Sequence, residues 1–235
     1  QLRDKLGEGG MGAVYRATDR LTGQSVALKR VLIPTGGSST DGDSSRLRLS
    51  LAREFQTLAS LRHPNVIGVE DYGFDTNQQP YFTMTLLEKP QTILEVGAKA
   101  GLEQKIDLLI QLLQAMAYLH RRGILHRDLK PANVLVEDGE TVRVLDFGLA
   151  TAQEQQAGEV VEGTVTYMAP EVISRAGASK AADLYAVGVM AYELFTGRYP
   201  FDATNINKLI RSVFYTEPDL KTITSLTAEQ LAWLK

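Results

Sequence analysis

Short strand-like runs dominate the first third of the chain, and longer helical patterns dominate the rest. Five runs of alternating or continuously apolar residues predict strands: Leu2–Leu6, Ala13–Ala17, Ser25–Val31, Val66–Tyr72 and Tyr81–Leu87. Between the third and fourth runs, Leu51, Phe55 and Leu58 recur at helical spacing. The pattern therefore predicts a small antiparallel sheet with one helix over residues 1–87.

After residue 87 the period of the apolar pattern lengthens from two residues to about 3.6. Residues 88–101 are interpreted as a connector, and a long helix is predicted from Leu102 up to Gly123, a residue type that often follows a helix end. Its apolar stripe comprises Ile106, Leu109, Ile110, Leu113, Met116, Ala117 and His120. A second core helix is predicted over 179–195, with shorter helices over 205–213 and 227–235. Residues 88–235 are thus predicted to be mainly α-helical.

One β-hairpin interrupts this helical part, and polar residues flank it. Its runs, Val134–Val136 and Val142–Leu145, enclose the turn-forming segment 137–140. Asp128 and Asn133 precede the first run, and Asp146 follows the second, so a hairpin would hold all three at one end. An acid there could accept a hydroxyl proton, while amide and carboxylate oxygens suit a hard divalent cation. These residue types indicate phosphoryl transfer.

A glycine-rich segment joins the first two predicted strands. Gly7, Gly9 and Gly12 form the pattern G-x-G-x-x-G, in which the backbone can approach phosphates closely. A dinucleotide-binding unit has the same spacing but continues into a helix, whereas Ala13–Ala17 predicts a strand. For this segment alone, a hairpin turn without a ligand stays an alternative.

A lysine on the third predicted strand is the candidate cation for those phosphates. Lys29 shares a strand face with the small Ala27, and Glu54 on the predicted helix could pair with it. The commoner fates of such residues are a solvated edge lysine and a surface glutamate.

Composition narrows the function classes. The 235 residues are 44% hydrophobic and 23% charged, as in ordinary globular proteins, and the net charge of −3 gives no electrostatic case for binding nucleic acid. The absence of cysteine excludes disulfides and cysteine-ligated metals. No apolar run reaches the roughly 18 residues of a membrane span, and no signal-peptide pattern opens the chain. We therefore expect a soluble cytoplasmic protein, and we expect both ends to be cut from a longer polypeptide.

Six motifs now stand in a fixed order along the chain. They are the glycine-rich segment, Val26-Ala27-Leu28-Lys29, Glu54, His126-Arg127-Asp128 with Asn133, Asp146-Phe147-Gly148, and Ala169-Pro170-Glu171. This order resembles the catalytic domain of eukaryotic-type protein kinases, the standard template for enzymatic phosphoryl transfer. Lys130, and Thr164 with Tyr167, resemble the Ser/Thr branch, and His63-Pro64-Asn65 is similar to bacterial members. The resemblance covers nearly the whole chain.

The resemblance implies an α+β, two-lobed protein-kinase-like fold. Residues 1–87 would form the N-lobe, a five-stranded antiparallel sheet plus one helix, and residues 88–235 a mainly helical C-lobe truncated at its C-terminus. In the N-lobe, Gly7, Gly9 and Gly12 would cover the phosphates of ATP. Lys29, held by Glu54, would contact the α- and β-phosphates. Residues implied to surround adenine are Val14, Ala27, Met84, Thr85, Leu87 and Leu135.

In the C-lobe the resemblance implies the reacting groups. Asp128 would orient the substrate hydroxyl and accept its proton, Lys130 would steady the phosphoryl group, and Thr164 would bridge the two. Asn133 and Asp146 would hold Mg²⁺, for which Mn²⁺ is an alternative. His126 would be structural, and Asp183 would anchor the base of a hydrophobic column through His126 and Phe147.

Three departures from the family pattern carry expectations of their own. Regulated members of the family have an activating phosphosite near residue 160. At this place Glu159 or Glu162 could supply a permanent negative charge for Arg127. The alternatives are that no charge pair fixes the loop, or that Thr166 is phosphorylated. Ala132 replaces an acid that reads basic residues, so no strongly basic substrate preference is expected. The family's arginine partner of Glu171 would lie beyond Lys235. A buried, unpaired Glu171 would cost roughly 3–5 kcal/mol, unless it is hydrated.

The expected function is therefore that of a Ser/Thr protein kinase. It would transfer the γ-phosphoryl group of ATP to protein substrates bearing Ser or Thr, autophosphorylation included. Two alternatives are a nucleotide-binding pseudokinase with a regulatory or scaffold role, and a small-molecule phosphotransferase on a related fold. Whether the domain forms a homodimer is left open.

Overall fold

The computed structural model describes residues 1–9, 12–31, 55–77, 79–147 and 165–223. The chain forms two compact units, Gln1–Glu88 and Lys89–Lys235. The first contains a five-stranded sheet, and the second contains helices and a three-stranded sheet. Within the described ranges, no helix is both long and apolar enough to cross a membrane.

The first unit is built on an antiparallel sheet of order β1-β2-β3-β5-β4. Its strands are β1 Leu2–Gly9, β2 Gly12–Thr18, β3 Ser25–Val31, β4 Val69–Phe74 and β5 Pro80–Thr85. The predicted five-stranded antiparallel sheet is confirmed. The fourth strand begins at Val69 instead of Val66, because a turn closed by the Val66 amide and the His63 carbonyl occupies its predicted start.

A helical segment covers one face of this sheet. Residues 55–59 are helical, whereas the predicted helix start at Leu51 lies outside the described residues. Phe55 is buried, and its ring lies 5.3 Å from Phe82 and 5.7 Å from Tyr72. Because Phe82 pairs with Lys29 across β5 and β3, this segment packs on the sheet face that carries Lys29.

The second unit consists mainly of helices. Its elements are β6 Gln91–Thr92, α1 Ile93–Gly97, α2 Leu102–Arg121, β7 Val134–Glu137, β8 Thr141–Val144, α3 Pro170–Ile173, α4 Lys180–Thr196 and α5 Ile206–Tyr215. The predicted hairpin is confirmed as β7 and β8, and β6 adds a third antiparallel strand. The predicted helix over 227–235 lies outside the described residues.

The interpretation of residues 88–101 as a connector is wrong, because β6 and α1 lie there. Thr92 begins α1 with a capping box. Its hydroxyl accepts from the Glu95 amide at 3.2 Å, and the Glu95 carboxylate accepts from the Thr92 amide at 2.7 Å. The T-x-x-E spacing of Thr92 and Glu95 is a sequence signal for the start of a helix.

The apolar stripe predicted for α2 is partly wrong. The buried residues of α2 are Leu108, Leu112, Ala115, Met116 and Leu119. Ile110 and Leu113 are instead 46% and 41% exposed. Because α2 is apolar on more than one side, periodicity alone could not select its buried face; packing against α4 and β8 selects it.

Helix α4 is the second core helix that the sequence predicted. It begins after Ser179, whose hydroxyl accepts from the Ala182 amide at 3.0 Å, and it ends at Gly197 in the left-handed conformation. Glu171 lies nearby and is only partly buried, with the Ser179 hydroxyl 3.5 Å from its carboxylate. The cost expected for a fully buried Glu171 therefore does not apply.

Candidate active site

A buried carboxylate on α4 organises the loop between α2 and β7. Asp183 is 3% exposed, and its two oxygens accept from the backbone amides of His126 at 2.9 Å and Arg127 at 3.0 Å. The His120 ring at the end of α2 lies 2.7 Å from the same carboxylate. Arg127 has a φ of 71°, a left-handed conformation that costs free energy for a side-chain-bearing residue. Asp183 therefore stabilises a strained loop immediately before Asp128.

His126 is fully buried, and its ring makes an edge contact with Phe147 at 6.4 Å. Burial lowers the pKa of His126 below its usual value, although the carboxylates of Asp183, Asp128 and Asp146 oppose that shift. A neutral imidazole packed in the core agrees with the structural role predicted for it.

Three predicted site residues contact each other directly in the loop that follows. The Lys130 ammonium lies 3.1 Å and 2.9 Å from the two carboxylate oxygens of Asp128. The Asn133 side-chain amide donates to the Asp128 backbone carbonyl at 2.7 Å and to its carboxylate at 3.2 Å. Asp128 is thus held in one orientation by a cation and an amide, as positioning of a general base requires.

The hairpin brings Asn133 and Asp146 to the same end of the sheet. Val134 pairs with Val144, and beyond that pair the Leu145 amide donates to the Asn133 carbonyl at 2.9 Å. Asp146 follows directly, with a φ of 58° that turns the chain away from the strand. The predicted meeting of the two polar loops is therefore observed.

These two residues fit a magnesium ion. Since the NH₂ group of Asn133 donates to Asp128, its amide oxygen remains the acceptor on the other side of that amide. Mg²⁺ is usually held by one or two protein oxygens together with substrate phosphates and water. One amide oxygen and one carboxylate are therefore a sufficient protein contribution.

In the first unit, strand pairing places four predicted residues on one sheet face. Val14 pairs with Lys29, and Ala27 pairs with Met84, while Ala27 and Lys29 are two residues apart on β3. Lys29 is only 4% exposed, which is rare for a lysine and excludes the solvated-edge alternative. Thr85 pairs with Val26 and lies on the opposite face.

The remaining predicted residues lie in less informative places. Gly7 lies on β1 and is exposed, Gly9 ends that strand opposite Gly12, and Leu87 is buried after β5. Leu135 is half-buried on β7 of the second unit. The predicted Glu54, Thr164, Glu159 and Glu162 lie outside the described residues.

A tyrosine–glutamate contact that the sequence did not predict lies close to the Ala169-Pro170-Glu171 motif. The Tyr167 hydroxyl donates to the Glu193 carboxylate of α4 at 2.5 Å, and the Tyr199 hydroxyl donates to the Thr166 carbonyl. Burial raises the pKa values of Tyr167 and Glu193. Since the ordinary pKa of tyrosine is already about 10, Tyr167 is protonated at neutral pH and donates. Tyr167 was visible as part of a motif, but no local signal marks Glu193, which lies 26 residues away in the sequence.

A small, partly open cleft lies beside Asp128 in the second unit. Its lining includes Arg127, Asp128, Tyr167, Met168 and Ala169, together with residues of α4. The segment held by the tyrosine contacts therefore borders the candidate catalytic aspartate.

Comparison with known proteins assigns these features to a family. The family model described as "protein kinase domain" matches residues 1–232. The chain belongs to the protein kinase family. The predicted resemblance is thereby confirmed, and the sheet and helices described above are those of a kinase domain.

Relatives at 34–36% identity carry Ser/Thr kinase names. The probable serine/threonine-protein kinase PknB of Lactococcus lactis is 34% identical over 84% of this chain and 31% of its own length. The probable serine/threonine-protein kinase SCO3848 of Streptomyces coelicolor is 36% identical over 86% of this chain and 30% of its own. The DNA damage-responsive serine/threonine-protein kinase RqkA of Deinococcus radiodurans is 36% identical over 100% of this chain and 36% of its own. The kinase chain thus spans about a third of these relatives.

Proposed function

We propose that this kinase domain transfers the γ-phosphoryl group of ATP to Ser and Thr hydroxyls of protein substrates, its own hydroxyls included. The observation that carries the proposal is the hydrogen-bonded set of Asp128, Lys130 and Asn133. This set lies at one end of the β7–β8 hairpin, and Asp146 lies at the same end. The Ser/Thr kinase names of the relatives support the choice of residue type.

Each group in this set has a task in the proposed reaction. The Asp128 carboxylate orients the attacking hydroxyl and accepts its proton, and the neighbouring Lys130 ammonium offsets negative charge on the transferred group. Asn133 and Asp146 would hold Mg²⁺, which neutralises phosphate charge when bound. Lys29 offers a buried cation on the sheet face that also bears Val14 and Ala27, and we assign it to the nucleotide phosphates.

The proposal extends to the partners of the reaction. ATP with Mg²⁺, or with Mn²⁺ as the alternative ion, is the phosphoryl donor, and a protein bearing Ser or Thr is the acceptor. We place the reaction in the cytoplasm, where ATP is available. The 167–169 segment borders the cleft beside Asp128, and we assign this segment to the protein acceptor, whose hydroxyl must reach the carboxylate.

Replacing the proposed base tests the function directly. Asp128→Asn keeps the size of the side chain but removes its basicity, so transfer of ³²P from [γ-³²P]ATP to a Ser/Thr peptide should fall about 10²–10⁴-fold. Asp107→Asn, at an exposed position of α2, is the matched control and should retain full activity. Circular dichroism and Mg²⁺–ATP binding should be the same for the wild type and both variants.

Two results would contradict the proposal. One is a wild-type protein that binds Mg²⁺–ATP yet labels neither itself nor any Ser/Thr peptide, which would support the pseudokinase alternative. The other is a folded Asp128→Asn variant with undiminished transfer.

A further inference from the structure

The outer edge of the three-stranded sheet is covered by a glutamine side chain. Among the described residues, strand β8 is the last in the order β6-β7-β8, so no further strand of that sheet pairs with its outer edge. Gln111 of α2 donates from its side-chain amide to the Glu140 carbonyl at 2.9 Å. Its carbonyl oxygen accepts from the Val142 amide, also at 2.9 Å.

The two hydrogen bonds of the Gln111 side chain take the place of those that a neighbouring strand would make. Along one edge of a strand, outward carbonyl and amide groups recur every second residue. The Glu140 carbonyl, in the turn just before β8, and the Val142 amide, in β8, have this two-residue spacing. A primary amide carries one acceptor and two donor hydrogens in a single plane and can satisfy both groups at once. Gln111 therefore makes one directional bond to Val142 of β8 and one to Glu140, the turn residue immediately before β8. These bonds add to the packing of α2 against β8.

The two hydrogen bonds of Gln111 can influence the position of Asp146, one of the two candidate metal ligands. Asp146 follows Val142 by four residues and the end of β8 by two. At about 3.3 Å per residue, it therefore lies at most about 13 Å from Val142. A rotation of β8 by about 5° around the Gln111 contact would move Asp146 by up to about 1 Å, a displacement that can matter greatly for catalysis. Such a rotation would move Asn133 less, because Asn133 leads into β7, and β7 is held between two other strands.

We propose that Gln111 is a positioning residue that fixes Asp146 relative to Asn133 by anchoring β8 to α2. The inference rests on the proposed function, because it assumes that this pair holds the metal ion of the reaction. It goes beyond that function by assigning a role to a residue on a helix that carries none of the proposed reacting groups.

Helix α2 also supplies a matched control. Gln104, seven residues earlier, donates through its side-chain amide to the Gly139 carbonyl at 2.9 Å. This is a single bond at the tip of the hairpin turn, and the residue is exposed. Gln104 shares the helix, the chemistry and the target hairpin with Gln111, but it does not bond β8 itself.

The test compares Gln111→Met with Gln104→Met, since methionine keeps the length of glutamine and removes its hydrogen bonds. The first readout is amide hydrogen exchange without nucleotide or metal. In Gln111→Met, the amides of Val142 and Leu145 should exchange about tenfold faster, because β8 opens more readily. In Gln104→Met both rates should match the wild type. Gln111→Glu, which keeps the acceptor for Val142, should protect both amides more than Gln111→Met does.

The second readout is the metal requirement of phosphoryl transfer. The Mg²⁺ concentration for half-maximal activity should rise about tenfold in Gln111→Met, as when other outer groups that orient metal ligands are removed. The KM for a Ser/Thr peptide should stay within about twofold, since the peptide does not depend on Asp146. Gln104→Met should leave both values unchanged.

The outcomes separate the two proposals. If Val142 exchanges faster in Gln111→Met while Leu145 exchange and the Mg²⁺ requirement are unchanged, Gln111 only covers a sheet edge and the inference is wrong. If the wild type has no kinase activity, the proposed function fails, and the inference is then decided by Leu145 exchange and by Mn²⁺–ATP binding, followed through water-proton relaxation. If Gln111→Met does not fold, Gln111→Glu is compared with Gln104→Glu by the same readouts.

Discussion

At the scale of single residues, Gly7 on β1 and Gly12 on β2 lack a side chain for different reasons. Gly12 has a φ of 132°, and a Cβ there would lie 1.9 Å from the Arg30 backbone carbonyl oxygen. No described heavy atom lies within 4 Å of a Cβ built on Gly7, and its φ is ordinary. The fold therefore requires glycine at position 12, whereas the missing side chain of Gly7 leaves open space, as close approach of a phosphate would need.

This difference predicts opposite results for two alanine variants. Gly12→Ala should lower the free energy of unfolding by about 1–3 kcal/mol, because the chain must move to relieve the clash. Gly7→Ala should change it by less than about 0.5 kcal/mol, yet it should weaken ATP binding. Urea unfolding and titration with ATP measure the two quantities. A stable Gly7→Ala variant with undiminished ATP affinity would show that Gly7 has no role in covering phosphates.

At the scale of elements, α4 supports three separate parts of the second unit. Asp183 near its start holds the loop that carries Asp128, and Glu193 near its end holds the 165–169 segment through Tyr167. Tyr192 reaches in another direction and bonds the Thr222 hydroxyl at 2.9 Å. Asp183 and Tyr192 are among the buried residues of α4, and Glu193 is partly buried. The helix carries no proposed reacting group, but it determines where the neighbouring loops lie.

Removing the first of these anchors should be costly. Asp183→Ala would leave the amides of His126 and Arg127 without their acceptor and Arg127 in a strained conformation, so we expect a loss of about 3–5 kcal/mol in the free energy of unfolding. Leu184→Ala, at the next position of α4, is the control, because Leu184 is 48% exposed and should cost far less. Urea denaturation of both variants measures the difference. Equal stabilities would refute the assigned role of Asp183.

At the scale of the whole molecule, the residues proposed to bind Mg²⁺–ATP are far apart in the sequence. Lys29 belongs to the first unit, and Asn133 and Asp146 belong to the second. A ligand that binds only the folded chain stabilises that chain in proportion to the logarithm of its concentration. Thermal stability therefore reports on the site without any need for turnover.

Mg²⁺–ATP at a hundredfold excess over its dissociation constant should add about 2.7 kcal/mol to the free energy of unfolding. For a chain of this size that corresponds to a rise of about 5–10 °C in Tm. Chelation of the metal with EDTA should remove much of the rise, and Asp146→Asn should show the same small rise with and without Mg²⁺. Asp138→Asn, at the opposite, exposed end of the same hairpin, should respond like the wild type. An equal rise in Mg²⁺ and in EDTA would exclude the proposed metal ligands.

The sequence by itself determined the type of most elements and the presence of the reacting groups. Short alternating or continuously apolar runs identified the five strands, and two β-branched runs around a glycine turn identified the hairpin. The placement of Asn133 and Asp146 at one end then followed from hairpin geometry, because the two strands run antiparallel. These features are local, so neighbouring residues were enough to predict them.

Only the tertiary structure decided which surfaces meet. Helix α2 is apolar on several sides, and its buried face is selected by α4 and β8, so the predicted stripe was partly wrong. The contacts of Gln111 with Glu140 and Val142, and of Tyr167 with Glu193, join residues that lie 26 to 31 positions apart. A side-chain hydrogen bond across such a distance depends on how whole elements pack, and no local pattern encodes it. The groups proposed to carry the chemistry can therefore be recognised from the sequence, whereas the residues that hold these groups in position are identified only from the tertiary structure.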